Sequence, residues 1–242
     1  MDGTVSHDFN HEIRLQRRMT IQSINYNDAL MNPMSSDPGY DAICKAKNQA
    51  ESGNPEGAVN TLENYLKTDP HNVKVRLLLA NVIFYNLDDV EYGKLQLDAI
   101  LDLEPDNVDA MKAYVTVMQK YKKYNDETEA MFERLLEIAP SAELYSMYAS
   151  FLRKQIVDFE KSAEYYKKAI ELSPNKYEYH QNYAVLLLND LRDYQTAKTE
   201  LEILMDMKPG DINIRKNYDK LMNKKFDKNG NLKKPLFKIS RR

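Results

Sequence analysis

The chain of 242 residues has no tryptophan, one cysteine and only seven glycines. A lone cysteine, Cys44, excludes an internal disulfide, so nothing here calls for an oxidising compartment. No glycine-rich phosphate loop is present: SGNPEG at 52–57 reads as a turn and lacks the Gly-Lys-Ser/Thr ending. Long apolar runs are missing as well. Runs such as Leu77 to Ala80 and Val82 to Tyr85 are far too short to span a bilayer. The polar start MDGTVSHDFNHEIRLQRR lacks the apolar stretch of a secretory signal. These absences lead to the expectation of a soluble, cytoplasmic protein with no membrane partner.

What is there favours helices. Apolar residues make up 43% of the chain, enough for a substantial core, and Leu, Ala, Glu, Lys and Tyr dominate. Charge is unevenly placed. Residues 223–242 carry eight cations and one acid, a balance of +7, which leaves −10 for the rest of a chain whose total is −3. An acidic body thus ends in a basic tail.

Five of the nine prolines keep one period. Pro70, Pro105, Pro140, Pro174 and Pro209 follow one another at 35, 35, 34 and 35 residues. Each comes after an amphipathic run such as EYYKKAIELSPN at 164–175, and proline cannot continue a helix. Polar residues that cap the next helix follow: Asn72, Asp106-Asn107, Ser141, Asn175 and Asp211. Each unit also breaks in the middle, at Asn54, Asp88-Asp89, Asn125-Asp126, Asp158 or Asp193, so it holds two helical stripes. Neither stripe can bury its apolar face alone, and the units must stack.

A unit of about 34 residues, helix–turn–helix ending near a proline, resembles the tetratricopeptide repeat (TPR) family. The family's small second-helix position is filled by Ala58, Gly93, Ser162 and Ala197, with Thr128 as a departure. Its small first-helix position reads Ala46, Ala80, Val115, Tyr148 and Ala184. The resemblance covers about 38–225 and implies an all-α, right-handed α-solenoid of about five helix–turn–helix units with a C-terminal capping helix. The expected units run 38–72, 73–107, 108–140, 141–176 and 177–210, within a solenoid of 37–225 whose cap is 211–225. Residues 1–36 are expected to be a mobile N-terminal arm, and 226–242 a basic tail that adds little to folding.

No catalytic constellation emerges, and the chain is not expected to be an enzyme. His7 and His11, four apart, would suit a metal only on a helix; an exposed polar arm is the plainer reading, and neither metal nor cofactor is expected. His180 falls at a packing position, where a satisfied histidine is the simpler account than a catalyst. Cys44 has no neighbouring base to activate it. The resemblance implies a non-catalytic interaction scaffold that binds a peptide segment of another protein along its first helices. Residues placed on that concave face are Asn81, Phe84, Tyr85, Lys112, Lys120, Tyr145, Arg153, Gln181, Asn189 and Lys216. The carboxylate clamp by which some members hold Hsp70 and Hsp90 is not recognisable: the matching positions Leu77, Asn81, Ala113, Ala142 and Ser146 fit only at Asn81. The alternative is an RNA- or ribosome-associated protein using the basic tail as a polyanion contact.

Overall fold

A computed structural model describes residues 37–233. The expectations of a mobile arm at 1–36 and of a histidine pair at His7 and His11 lie outside the described residues. The described chain is all-α, with eleven α-helices that follow the tetratricopeptide pattern: α1 (Pro38–Glu51), α2 (Pro55–Leu66), α3 (Val73–Val82), α4 (Val90–Leu103), α5 (Val108–Met118), α6 (Asn125–Ile138), α7 (Ala142–Phe151), α8 (Phe159–Leu172), α9 (Tyr177–Leu186), α10 (Tyr194–Met207) and α11 (Ile212–Lys225). The described residues divide into two compact bodies, with the boundary between Val117 and Met118.

Helix starts are set by short polar side chains. Asn54, Asn72, Asp89, Ser141, Asp158, Asp193 and Asp211 each accept a hydrogen bond from an otherwise orphaned N–H in the first turn of the helix that follows. Two starts differ from expectation. Lys176, not Asn175, occupies the cap position of α9, and its side chain makes no capping bond. Tyr124 precedes α6 after a 3₁₀ turn at Lys122–Tyr124, so Asn125 and Asp126 lie inside the helix rather than before it.

Three first helices end alike. α3, α7 and α9 each continue into one turn of π-helix, at Ile83–Leu87, Leu152–Ile156 and Leu187–Leu191. The next residue is left-handed: Asp88 at φ 56°, Val157 at φ 66° and Arg192 at φ 58°. That residue reverses the chain and delivers the following aspartate to cap the second helix. Gly53, at φ 84°, does the same between α1 and α2 without strain, because it has no Cβ.

In the first body α1 packs on α2 and α3 on α4, around Ile43, Ala46, Leu62, Leu78, Leu79 and Ile83. Small residues permit the close crossings. A Cβ on Gly93 would lie 2.3 Å from the Phe84 ring, so only glycine fits there with the ring in place. In the second body α7 packs on α8, α9 on α10 and α10 on α11, around Tyr166, Tyr183, Leu187, Leu201, Leu204 and Leu221.

Residues 226–233, expected to belong to an unanchored tail, are held against the second body. α11 runs to Lys225, and Phe226, only 3% exposed, joins the core of the second body. Phe226 and Leu232 form an antiparallel bridge around the Asn229-Gly230 turn, with Gly230 at φ 78°. Asp227 Oδ1 accepts from the N–H groups of Asn229 and Asn231, and the Lys233 N–H donates to the Lys225 carbonyl at 2.8 Å. A single apolar anchor followed by a turn-forming pair is enough to fold 226–233 back on its helix.

Candidate functional site

Counting from each cap gives a common frame for the first helices. Five and thirteen residues beyond Asn107, Lys176 and Asp211 stand Lys112 and Lys120, Gln181 and Asn189, and Lys216 and Lys224; all six are exposed. Thirteen beyond Asn72 stands Tyr85, half-buried. These positions fall on one side of each helix, opposite the residues that enter the core.

Other expected face residues are already engaged. Asn81 and Phe84 are each 6% exposed, and Phe84 fills the crossing of α3 and α4 beside Gly93. Tyr145 stacks on Tyr165 with ring centroids 5.9 Å apart, and Lys168 lies over both rings. Arg153 Nε donates to Asp190 Oδ2 at 2.5 Å, tying the π turn after α7 to the one after α9.

The connection before α7 is one residue shorter than the others, since Ser141 follows Pro140 directly where Asn72 follows Pro70 by two. This shifts the frame of the fourth unit. Ala149, not Tyr148, takes the small first-helix position, and the Ser162 hydroxyl donates to its carbonyl at 2.7 Å across the crossing. At the offsets of five and thirteen in this unit stand Ser146, buried at 7% exposure, and Lys154, which is exposed. Tyr148 turns instead toward α6 and α8, where its hydroxyl meets Glu129 and Glu133 at 3.2 and 3.1 Å.

Lys161 Nζ donates to the same two carboxylates at 2.9 and 3.1 Å. Burial works against its charge, but hydrogen bonds to Tyr148, Glu129 and Glu133 outweigh that and hold it above the ordinary lysine range. Burial also pushes the Tyr148 phenol up, which keeps its proton in place. A lysine that attacks a substrate needs the opposite shift, so this cluster is built to stay charged.

His180 is 4% exposed and has a partner at each ring nitrogen. Nδ1 lies 2.7 Å from Glu200 Oε2, and Nε2 lies 2.9 Å from the Pro174 carbonyl. It is a satisfied packing residue, held between the terminating turn of one unit and the second helix of its own. Arg76 repeats the arrangement in the first body: Nη1 donates to Gln96 Oε1 at 2.8 Å and Nη2 to the Pro70 carbonyl at 2.6 Å. The sequence carries a signal for this latch, a polar residue six after the proline with a hydrogen-bonding partner twenty further on, but only once two copies are compared.

Among the described residues no group of His, Cys, Asp and Glu could hold a metal ion, and no helix is long and apolar enough to cross a membrane. A tetratricopeptide-repeat family model matches residues 165–199. No curated protein matches the sequence. Solved structures do. MamA from Desulfovibrio magneticus RS-1, residues 41 to the end, superposes with a TM-score of 0.64 at 21% identity, covering 73% of this chain and 98% of that one. YrrB, described as a TPR protein with an unusual peptide-binding site, superposes at 0.55 with 18% identity, covering 67% of this chain and 82% of that one. Identities this low bear on the fold alone. Together with the proline period and the capped helix pairs, they show a tetratricopeptide-repeat fold, with one repeat matched by the family model itself.

Proposed function

We propose that the protein is a non-catalytic interaction scaffold that binds an extended segment of another protein along the exposed faces of its first helices. One observation carries this reading. Exposed polar or charged residues stand at both offsets from the caps of α5, α9 and α11, while the opposite side of the same helices is committed to the core. YrrB supports the reading by its fold and by the peptide-binding site its description names. The polar clusters inside the helix pairs favour a structural role over catalysis, because His180 and Lys161 are saturated with partners.

A photo-crosslinking side chain placed singly at Gln181 or Asn189 tests the proposal, with Lys167 on the exposed side of α8 as control. The expected result is one protein crosslinked from both face positions and not from Lys167, with the contact peptide identified by mass spectrometry. Equal labelling from all three positions would show adventitious contact and overturn the reading.

A further inference from the structure

We infer that the exposed face of α11 receives an acidic, extended stretch of the bound segment, with alternate carboxylates set against Lys216, Lys220 and Lys224. The inference rests on the face-binding reading above and specifies what the last helix of the stack contributes to it.

The three lysines are spaced i, i+4, i+8, so they line one stripe of the helix. All three are exposed, and none forms an ion pair among the described residues. Like charges at i, i+4 destabilise a helix. The helix dipole compensates only near the C-terminus, which favours Lys224 but not Lys216 in the middle of the helix. Core packing explains none of the three, because the buried side of α11 is formed by Ile214, Tyr218 and Leu221. The stripe therefore costs the fold something and returns nothing to it. In the frame counted from the cap, these lysines take the positions that Gln181, Val185 and Asn189 take in α9.

Geometry selects the partner. Four residues of α-helix rise about 6 Å. Two residues of an extended strand, the interval between side chains on one edge, advance about 6.6–6.8 Å. A strand laid along α11 with an acid at every second residue thus meets one lysine per acid. Asn213 and Asn217, both exposed, flank the stripe and can bond a peptide backbone through donor and acceptor alike. A nucleic acid strand fits less well. Binding of single strands relies on aromatic rings under the bases, and the one ring on α11, Tyr218, is half-buried with its hydroxyl donated to Glu202 at 2.9 Å.

Fluorescence anisotropy on the full chain provides the test, with three probes: a peptide alternating Glu with Val, a peptide of the same composition with its glutamates in one block, and oligouridylate. The alternating peptide is expected to bind best. Replacing all three lysines by alanine, the best helix former, should weaken it by about tenfold, the combined worth of three exposed ion pairs. Lys167→Ala should leave it unchanged. Thermal melting of the triple variant should show a fold at least as stable as the parent. Equal binding of the two peptides, unchanged binding by the triple variant, or preferential binding of oligouridylate would each overturn the inference. Crosslinking from Gln181 separates this from the broader reading. A partner still crosslinked at Gln181 while the triple variant binds the peptide normally removes the lysine site alone. Lysine-dependent peptide binding with no crosslink at Gln181 removes the face-binding reading and supports the site on α11.

Discussion

Arg76 in α3 and His180 in α9 do the same job with different chemistry. Each reaches from a first helix to the carbonyl of the preceding terminal proline and to a polar residue on the second helix. In the first case a permanently charged guanidinium meets a neutral amide, Gln96. In the second an imidazole meets a carboxylate, Glu200, in a setting where both partners are nearly sealed from water, at 4% and 8% exposure. The imidazole Nδ1 faces the Glu200 carboxylate and its Nε2 the Pro174 carbonyl, so the ring has an oxygen partner on each side. The latch is thus defined by its geometry, and the pair of residues that completes it is exchangeable. What differs is the penalty for breaking it, because a stranded charge is far harder to bury than a stranded amide.

Deleting one partner should expose that difference. His180→Ala leaves Glu200 without its partner and is expected to cost about 3–5 kcal/mol, read by urea unfolding. Arg76→Ala leaves two neutral acceptors, the Gln96 amide and the Pro70 carbonyl, without their donor and should cost about 1–3 kcal/mol. Equal losses would show that the carboxylate gains water or another donor when the ring is removed. The double exchange His180→Arg with Glu200→Gln, which copies the other latch, should recover most of the first loss.

The helix crossings beside these latches differ too. Ala197 occupies in α10 the place of Gly93 in α4. Gly93→Ala should be destabilising by about 1–3 kcal/mol, because its Cβ meets the buried Phe84 ring, although the same change in an open helix would stabilise. A stabilising result would show that the ring can yield.

Capping sharpens the contrast through pH. Asn54 and Asn72 cap helices of the first body with amides. In the second body Asp193 lies below the ordinary carboxylate range: burial opposes the shift, but bonds from the Thr196 hydroxyl and from backbone N–H groups exceed it. Asp211 is lowered by the Tyr177 hydroxyl first and then by the N–H groups of Ile214 and Asn213. A depressed carboxylate contributes stability that is fully present above its unfolded value of 3.8 and lost as pH falls through the folded value. Acid melting curves should therefore steepen below about pH 4, and Asp193→Asn with Asp211→Asn should flatten them. At neutral pH, Asp193→Ala is expected to cost about 1 kcal/mol.

The smallest effect concerns the reversals. Asp88 and Arg192 tolerate left-handed backbone better than Val157, whose branched Cβ crowds it. Val157→Gly should gain up to about 1 kcal/mol, the strain released less the entropy that glycine loses on folding.

Much of the fold could be read directly because prolines and caps act locally. Pro70 to Pro209 mark the helix ends, and most of the expected caps hold their helices. The fourth unit was harder. Its connection lacks one residue, and a frame drawn from the prolines slips by one position, so Tyr148 stands where Ala149 belongs. The π turns are invisible to helical periodicity, since they add a residue without interrupting the apolar stripe. The site was less legible than the fold. Whether Phe84 or Asn81 faces outward depends on how closely α3 and α4 approach, and that is set by Gly93 nine residues beyond Phe84.

From cap to cap across each first helix the count never varies: 37 to 54, 72 to 89, 107 to 124, 141 to 158 and 176 to 193, seventeen residues each. The return through the second helix and its proline is where the one-residue difference falls. Each first helix with its reversal is thus an interchangeable cassette of fixed length. On the proposed face-binding reading, changes of partner come by swapping cassettes between units, while a gain or loss of a residue at the proline turns moves no exposed face out of line within its own helix.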